Sequence, residues 1–188
     1  MTRQVAALYV DEAGPYSKLP GVDIWPVSRD ARKYPGPVPV VAHPPCGPWG
    51  RLSHLCTRQD PQLALAAVKQ IAQFGGVLEH PAHSKLWAHL DLPRPNELPF
   101  RGFWTLRVDQ VRWGHVARKP TWLLFSKISP SVVGPLPPPR SPTHWIGGSK
   151  TDPHRPPGMG FASGVQARRT PEPFARWLVS LARGASTP

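Results

Sequence analysis

The segment from residue 38 to residue 79 constrains the fold most, because it reads as a strand, a helix and a second strand in succession. The strands are the short apolar runs 38–42 and 77–79. Between them, Asp60-Pro61 suits a helix cap and first helical position, and a pair of glycines ends the helix. Its apolar residues recur at helical spacing, at Leu63, Ala67, Ile71 and Phe74. This unit predicts two parallel strands joined by a right-handed crossover, and hence an α/β fold.

Two reactive side chains stand at the exits of these strands. Cys46 follows the first apolar run, and Glu79 closes the second. Because parallel strands end at one edge of a sheet, where ligand crevices form, the thiol and the carboxylate are predicted to share a cleft. Pro45 stiffens the loop that presents the thiol, and Arg51 with nearby histidines is expected to lower the pKa of Cys46. The alternatives are a small buried cysteine and a glutamate paired with an arginine.

The remaining pattern predicts four more strands and two more helices. The strands are expected at 5–10, 21–25, 104–111 and 122–125, a short helix at 84–90 and a final helix from residue 170. Residues 127–157 are crowded with proline and lack apolar periodicity, which indicates a long surface excursion. The chain is therefore divided into an α/β core over residues 1–126, a Pro-rich basic loop region over 127–169 and a helix over 170–184 that packs on the core.

The charge balance predicts a polyanionic partner. Lys and Arg outnumber Asp and Glu by 23 to 11, which gives a formal charge of +12 in 188 residues, and nucleic acid is the commonest partner for such a charge. The alternative is a basic protein with no such partner. With only two cysteines, no secretory start and no apolar run of the roughly 20 residues that a membrane span needs, the expected location is the cytoplasm, without membrane association.

Three segments, taken in order, resemble the cytosine-5 DNA methyltransferases, most of all the small phage and prophage members. The resemblance covers residues 40–125 through order and spacing more than through any single motif. The segments are His43-Pro44-Pro45-Cys46, Leu78-Glu79-His80-Pro81 and Trp113-Gly114-His115-Val116-Ala117-Arg118-Lys119-Pro120-Thr121-Trp122-Leu123-Leu124. In that family the Pro-Cys loop supplies the nucleophile that adds to cytosine C6. The glutamate binds N3 and the exocyclic amine, and the third segment adds a base-contacting arginine.

The resemblance implies roles for residues of the catalytic half. Cys46 is the expected nucleophile, and Glu79 is the expected base-binding acid, with His80 standing where the family usually has Asn. Arg118 and Lys119 are the expected cationic contacts. A shifted alignment of the third segment offers Gln110 and Arg112 in their place, and the sequence leaves both registers open.

The resemblance also implies S-adenosylmethionine as the methyl donor and a reduced methyltransferase-like, Rossmann-type sheet that is mainly parallel, with a Pro-rich C-terminal extension. The donor-binding residues would lie in the loops after the first two strands, at Asp11, Ala13, Gly14, Asp23 and Trp25. Only about eleven residues separate these strands, which leaves little room for the helix that the family has there.

The implied substrate is DNA, from which the target base must leave the stack to be reached. Aromatic rings are expected to stack on the displaced base or fill its place, and basic residues to contact phosphates. The predicted DNA-binding residues are Trp49, Arg51, Trp113, His115, Lys150, Arg168 and Arg169. For the tryptophans the alternative is a place in the core, and for each basic residue it is a solvated surface.

Other functions stay open at this point. A zinc site built on His43-x-x-Cys46, His54-x-Cys56 and His80-x-x-His83 matches no tight zinc spacing, so no metal is expected. The leading hypothesis is methylation of cytosine C5 in DNA by a transferase acting in the cytoplasm, that of a bacterial host if the chain is phage-encoded. The alternatives are a related covalent enzyme that uses another donor or a nucleotide substrate, and a non-catalytic DNA-binding protein on a degenerate methyltransferase fold.

Overall fold

A computed structural model describes residues 4–50, 53–56, 59–146 and 154–186. Its centre is a six-stranded sheet with the order β2-β1-β3-β4-β6-β5. The strands are β1 (Val5–Leu8), β2 (Val22–Trp25), β3 (Val40–Ala42), β4 (Gly76–Pro81), β5 (Phe103–Asp109) and β6 (Pro120–Ser126). Strands β2, β1, β3 and β4 are parallel, and β6 runs antiparallel to both β4 and β5. The predicted α/β fold with a mainly parallel sheet is confirmed.

The predicted crossover helix is α1 (Gln62–Phe74), which joins β3 to β4. Its cap differs by one position from the expectation: Pro61 precedes the helix, and the Asp60 carboxylate accepts a hydrogen bond from the backbone N–H of Gln62 at 2.8 Å. Gly75 and Gly76 end the helix with φ of 77° and 133°. The turn between α1 and β4 therefore depends on residues without a β-carbon.

Gly76 permits the close pairing of β3 and β4. A methyl group on residue 76 would lie 1.9 Å from the Val40 carbonyl oxygen. Gly76→Ala is expected to lower the free energy of unfolding by about 3 kcal/mol, because it adds backbone overlap to an unfavourable φ. Urea unfolding measures this, and Gly134→Ala, where nothing lies within 4 Å, is expected to change stability by less than about 0.5 kcal/mol. Equal stability of both variants would contradict this pairing.

Helices cover both faces of the sheet. Alternate strand residues point to opposite faces, so Val77 and Phe125 pack with helix α4 (Glu172–Arg183), while Leu78 and Leu124 pack on the α1 side. Helix α2 (Leu86–His89) adds the ring of Trp87 to the α1 side. Within the described residues no helix is long and apolar enough to cross a membrane.

The proline-rich region contains more regular structure than its composition predicts. Two short parallel strands, β7 (His144–Trp145) and β8 (Gly160–Phe161), form a second sheet, and helix α3 (Gly164–Arg168) follows. A bridge between Ala117 and His144 ties this region to the loop before β6. The excursion is therefore anchored beside the carboxyl edge of the main sheet.

Some predicted boundaries are corrected. Strand β1 ends at Leu8 rather than residue 10, because Tyr9 has a φ of 60°, which interrupts an extended strand. Strand β5 ends at Asp109, whose carboxylate caps a single 3-10 turn, Gln110–Trp113, where the pattern had predicted two more strand residues. This early end carries Gln110 to the carboxyl edge of the sheet.

Candidate active site

Five elements bring polar side chains to one edge of the sheet. His43 follows β3 directly, and Gln110 follows β5. The last three residues of β4 extend past β3 and pair only with β6, which places Glu79 opposite Leu123. Antiparallel β6 begins at this edge and contributes Thr121. The loop after β1 adds Tyr16. These side chains meet beside the point where the chain order reverses between β1 and β3, a usual ligand position in such sheets, and this part of the sheet edge is called the cleft below.

Glu79 is the centre of a buried hydrogen-bond network. Its Oε1 accepts from Gln110 Nε2 at 2.8 Å and from Thr121 Oγ1 at 3.3 Å, and its Oε2 lies 3.2 Å from His43 Nδ1. Burial by itself disfavours the charged form. The hydrogen bond and charge of His43, with the charges of Lys119 and His80, outweigh burial and lower the pKa of Glu79 from 4.5 to about 2. The carboxylate is therefore ionised at neutral pH.

Tyr16 fixes the other side of the His43 ring. Its hydroxyl lies 2.6 Å from His43 Nε2, and the side chain is only 2% exposed. Burial, then the charge of Glu79, raises the pKa of Tyr16 well above 10, so the hydroxyl keeps its proton. An ionised Glu79 can only accept, so His43 Nδ1–H donates to it, and in the neutral ring Nε2 accepts from Tyr16. The three residues form one directed chain of hydrogen bonds.

Cys46 begins the single 3-10 turn Gly47–Trp49, and residue 46 as a whole is exposed. Desolvation of the thiol within the loop, then the charge of Glu79, raises the pKa of Cys46, and Lys119 opposes this. The predicted lowering of that pKa is therefore wrong for the described residues, because desolvation of the thiol and then the Glu79 carboxylate outweigh the charge of Lys119. Arg51, which had been expected to lower it, lies outside the described residues. The resting group is a thiol close enough to Glu79 to sense its charge.

The two predicted cationic contacts differ in position. The Arg118 guanidinium is exposed and pairs with Asp109 at 3.2 Å. The Lys119 ammonium lies 3.4 Å from the backbone carbonyls of Arg168 and Arg169, and its charge acts on both Cys46 and Glu79. Lys119 therefore belongs to the cleft, whereas Arg118 faces away toward Asp109.

Gln110, which the shifted register of the third segment offers, is also part of the site. Gln110 is fully buried and bonded to Glu79, and it donates a second hydrogen bond to Thr121 at 3.0 Å. The side-chain amide oxygen of Gln110, Oε1, has no partner within the described structure. Arg112 instead donates to the Pro137 carbonyl and anchors the proline-rich region. Thr121 lies in the third segment but was assigned no role from the sequence, and Tyr16 was missed because it belongs to no motif.

The structure corrects three of the predicted DNA contacts, because their side chains are buried. The Trp113 ring packs against Phe174 and Trp177, with centroid distances of 5.0 and 4.6 Å. Trp49 is 8% exposed and donates to the Pro61 carbonyl. His115 is 5% exposed, and its ring bonds to the backbone carbonyls of Ala117 and Gln166. These rings hold the core together and are not presented to a displaced base.

The remaining predicted DNA contacts are basic. Arg168 and Arg169 are exposed at the end of α3, beside Lys119. Lys150, like Arg51, lies outside the described residues. The exposed arginines therefore border the cleft on the side of the proline-rich region.

Residues of the predicted donor-binding loops bond to neighbouring residues of the chain. Asp23 pairs with Arg29 at 2.6 Å and accepts from the Trp25 indole at 2.8 Å. Asp11 caps the turn at Ala13, and a methyl group on Gly14 would lie 2.9 Å from the Asp11 carbonyl oxygen, so this glycine serves the turn.

Between these loops lies a depression of about 190 Å³. It is lined by Val10, Asp11, Glu12, Pro26, Val27 and Ser28. Small-molecule sites usually have volumes of about 300–1,000 Å³. With this small volume and with both Asp23 oxygens engaged, the residues present do not fit S-adenosylmethionine.

His80 lies next to Glu79 but points to the opposite face, where it meets the Trp87 ring edge-on at 6.2 Å. It is fully buried, and neither ring nitrogen has a partner within the described structure. Burial is the main cause that lowers the pKa of His80 from 6.5 to about 4; Glu79 opposes it. The imidazole is therefore neutral in the folded protein.

The depressed pKa of His80 predicts acid sensitivity. Between pH 6.5 and 4 the unfolded chain binds a proton that the folded protein excludes, so stability is full above pH 6.5 and falls by about 3 kcal/mol by pH 4. Glu79 adds a further loss only below pH 4.5. Urea unfolding across this range should show the loss in the wild type and in the exposed control His83→Gln, and much less in His80→Phe. A His80→Phe profile that matches the wild type would contradict this.

No three His, Cys, Asp or Glu side chains group as a metal site among the residues that the structure describes. Comparisons of the chain with protein-family models, with curated proteins and with solved structures find no match.

Proposed function

We propose that this chain modifies cytosine at C5 in DNA through a covalent bond between Cys46 and C6. The observation that carries the proposal is the convergence of a thiol and an ionised carboxylate at the carboxyl edge of adjacent strands β3 and β4. Their order along the chain, followed by the segment with Lys119, is the order on which the resemblance to cytosine-5 DNA methyltransferases rests. The sheet is compatible with the Rossmann-like core that this family implies.

The Glu79 carboxylate suits the amino edge of cytosine. Gln110 donates to Oε1 and His43 lies at Oε2, and the one hydroxyl hydrogen of Thr121 is shared between Oε1 and the Lys119 carbonyl, so about two of four acceptor positions can face a ligand. A hydrogen of the exocyclic amine would fill one of them, and N3 would face the other. A keto oxygen at the same ring position, as in uracil or thymine, would instead face a carboxylate that has no hydrogen to donate. The site therefore favours an aminopyrimidine.

The proposed reaction activates C5 by addition at C6. The Cys46 thiolate forms a bond to C6, the C5–C6 π pair moves to form a C4–C5 double bond, and the C4–N3 π pair moves onto N3, which takes a proton. Carbon 5 is then an enamine carbon that attacks an electrophile. Loss of the C5 hydrogen to a base and expulsion of the thiolate restore the aromatic ring. Because the resting group is a thiol, deprotonation of Cys46 precedes addition.

DNA is the proposed substrate because the chain carries a formal charge of +12 and because Lys119, Arg168 and Arg169 border the cleft. These side chains suit contacts to phosphates flanking an extruded base. Base edges would be read chiefly at Glu79, since the predicted aromatic contacts belong to the core. We therefore expect little dependence on the flanking sequence.

Exchange of the C5 hydrogen tests the proposal without any donor. In the adduct, C5 takes a proton from water, and loss of the original hydrogen before elimination returns unchanged cytosine. The protein incubated with DNA tritiated at cytosine C5 is expected to release tritium into water, and alkylation of the protein with iodoacetamide is expected to stop the release. A folded, unalkylated protein that binds DNA and releases no tritium would contradict the proposal.

The transferred group is a separate question. S-adenosylmethionine is the donor that the resemblance implies, although the depression between the first two loops is small for it. Titration calorimetry decides: binding at micromolar concentration would support methyl transfer, and no heat at millimolar concentration would exclude this donor.

The small depression favours a second candidate, a related covalent enzyme with another donor. A protein that binds DNA but forms no adduct would leave the third candidate, a DNA-binding module on this fold.

A further inference from the structure

The three hydrogen-bond donors of Glu79 differ in what they can transfer. Gln110 donates an amide N–H and Thr121 an alcohol O–H, neither of which gives up its proton near neutral pH. His43 donates from an imidazole, the side chain whose proton exchange is matched to neutral pH. His43 is therefore the only one of these three partners that can pass a proton to Glu79.

The proposed addition to C6 requires such a proton. When Cys46 adds to C6, the electron pair that leaves the C4–N3 double bond comes to rest on N3. Glu79 faces that edge of the ring but carries no proton of its own at neutral pH. A carboxylate alone would repel the growing negative charge, so the addition needs an acid behind it.

We propose that His43, oriented by Tyr16, supplies through Glu79 the proton that N3 takes up as Cys46 adds to C6. The inference rests on the proposed function. In this step the imidazolium of His43 loses its Nδ1 proton and becomes neutral imidazole, N3 gains one proton, and the carboxylate of Glu79 is unchanged overall. Elimination of Cys46 reverses the transfer. His43 acts through Glu79 and is thus a positioning residue, with Tyr16 behind it.

The surroundings of His43 suit both of its protonation states. The Tyr16 oxygen accepts from Nε2–H of the imidazolium and also of the neutral ring that is left after the Nδ1 proton has gone. The Glu79 carboxylate accepts from Nδ1–H before the transfer and takes up that proton during it. Among neighbouring charges, Lys119 acts on Glu79, and a charge on His80 would oppose one on His43. His80 is neutral above pH 6.5 and does not compete for the proton there.

The test compares the wild type with His43→Asn and Tyr16→Phe in tritium release from C5 at a fixed pH of 8. Asparagine retains an N–H near the position of Nδ1 but has no proton that it can give up. His43→Asn is expected to be slower by at least about 100-fold. Tyr16→Phe is expected to be slower by about tenfold.

Alkylation of Cys46 distinguishes a loss of proton supply from a loss of the folded structure around the thiol. Each variant should react with iodoacetamide within about threefold of the wild-type rate, since the thiol itself is intact. A His43→Asn protein with the wild-type rate of tritium release would overturn this inference alone. A variant that loses exchange and alkylation together would assign His43 a structural role and also overturn it. Should His43→Asn fail to fold, a wild-type rate of tritium release in Tyr16→Phe would have the same meaning. Absence of exchange in the wild type would overturn the proposed function with it.

Discussion

Cys46→Ala is expected to abolish tritium release from cytosine C5, because it removes the thiol that forms the bond to C6 and later releases it. The expected loss reaches the background rate. The variant should still fold and bind DNA, since residue 46 is exposed and lies in a loop. Tritium release and DNA binding measured on the same sample therefore separate chemistry from association.

The matched control for this variant is Cys56→Ala. Cys56 is the only other cysteine, and its sulfur lies near Gly47, where a methyl group would come within 2.8 Å of it. It is a neighbour of the nucleophile loop with no role in the proposed chemistry. Cys56→Ala is expected to exchange C5 hydrogen within about threefold of the wild-type rate. Exchange that persists in Cys46→Ala and is lost in Cys56→Ala would show that Cys56, and not Cys46, is the nucleophile.

Glu79→Gln is expected to slow tritium release by about 10²–10³-fold, because it removes the charge that neutralises a protonated N3 and breaks the connection to His43. Glutamine has nearly the same shape, so Thr121 and Gln110 can keep contacts with its carbonyl oxygen. The measurement is the single-turnover rate at a fixed pH of 8.

The same variant should have the opposite effect on thiol reactivity. The Glu79 carboxylate raises the pKa of Cys46, so its removal lowers that pKa and increases the thiolate fraction at pH 8. Iodoacetamide should then alkylate Cys46 faster in Glu79→Gln than in the wild type, while exchange is slower. Parallel loss of both rates would indicate a collapsed cleft, and unchanged exchange would remove Glu79 from the proposed chemistry.

The sequence predicts the centre of the fold because the signals there are local. The apolar runs of β3 and β4, the spacing within α1 and the glycines before β4 define a parallel pair without any other part of the chain. From that pair it follows that Cys46 and Glu79 share an edge. The insertion of antiparallel β6 between β4 and β5 has no such signal, since strand order depends on pairing between residues far apart.

The environment of Glu79 could not be predicted for the same reason. Its partners His43, Gln110 and Thr121 come from three other elements, and Tyr16 reaches the network only through His43. The sequence therefore predicts a carboxylate at the edge of the sheet, but not that a tyrosine and a histidine support it.

For two tryptophans the sequence predicts a ligand contact, whereas the structure places their rings in the core. Trp113 lies in a motif that favours a ligand contact, yet the apolar face of α4 buries it against Phe174 and Trp177. Trp49 likewise stabilises the nucleophile loop by packing near His89. Burial of a ring depends on which helix covers it, and that is a property of the tertiary fold.

The central claim is a covalent bond between Cys46 and cytosine C6, and trapping that bond tests it most directly. DNA that carries 5-fluorocytosine cannot release fluorine as a cation, so an adduct that has reacted at C5 cannot eliminate. Mass spectrometry of the wild type with such DNA, with and without S-adenosylmethionine, should show one protein joined to one strand, with the modified peptide containing Cys46. The account predicts this adduct in the wild type and Cys56→Ala and none in Cys46→Ala. A wild-type protein that binds the DNA, forms no adduct under either condition and releases no tritium from cytosine C5 would contradict it.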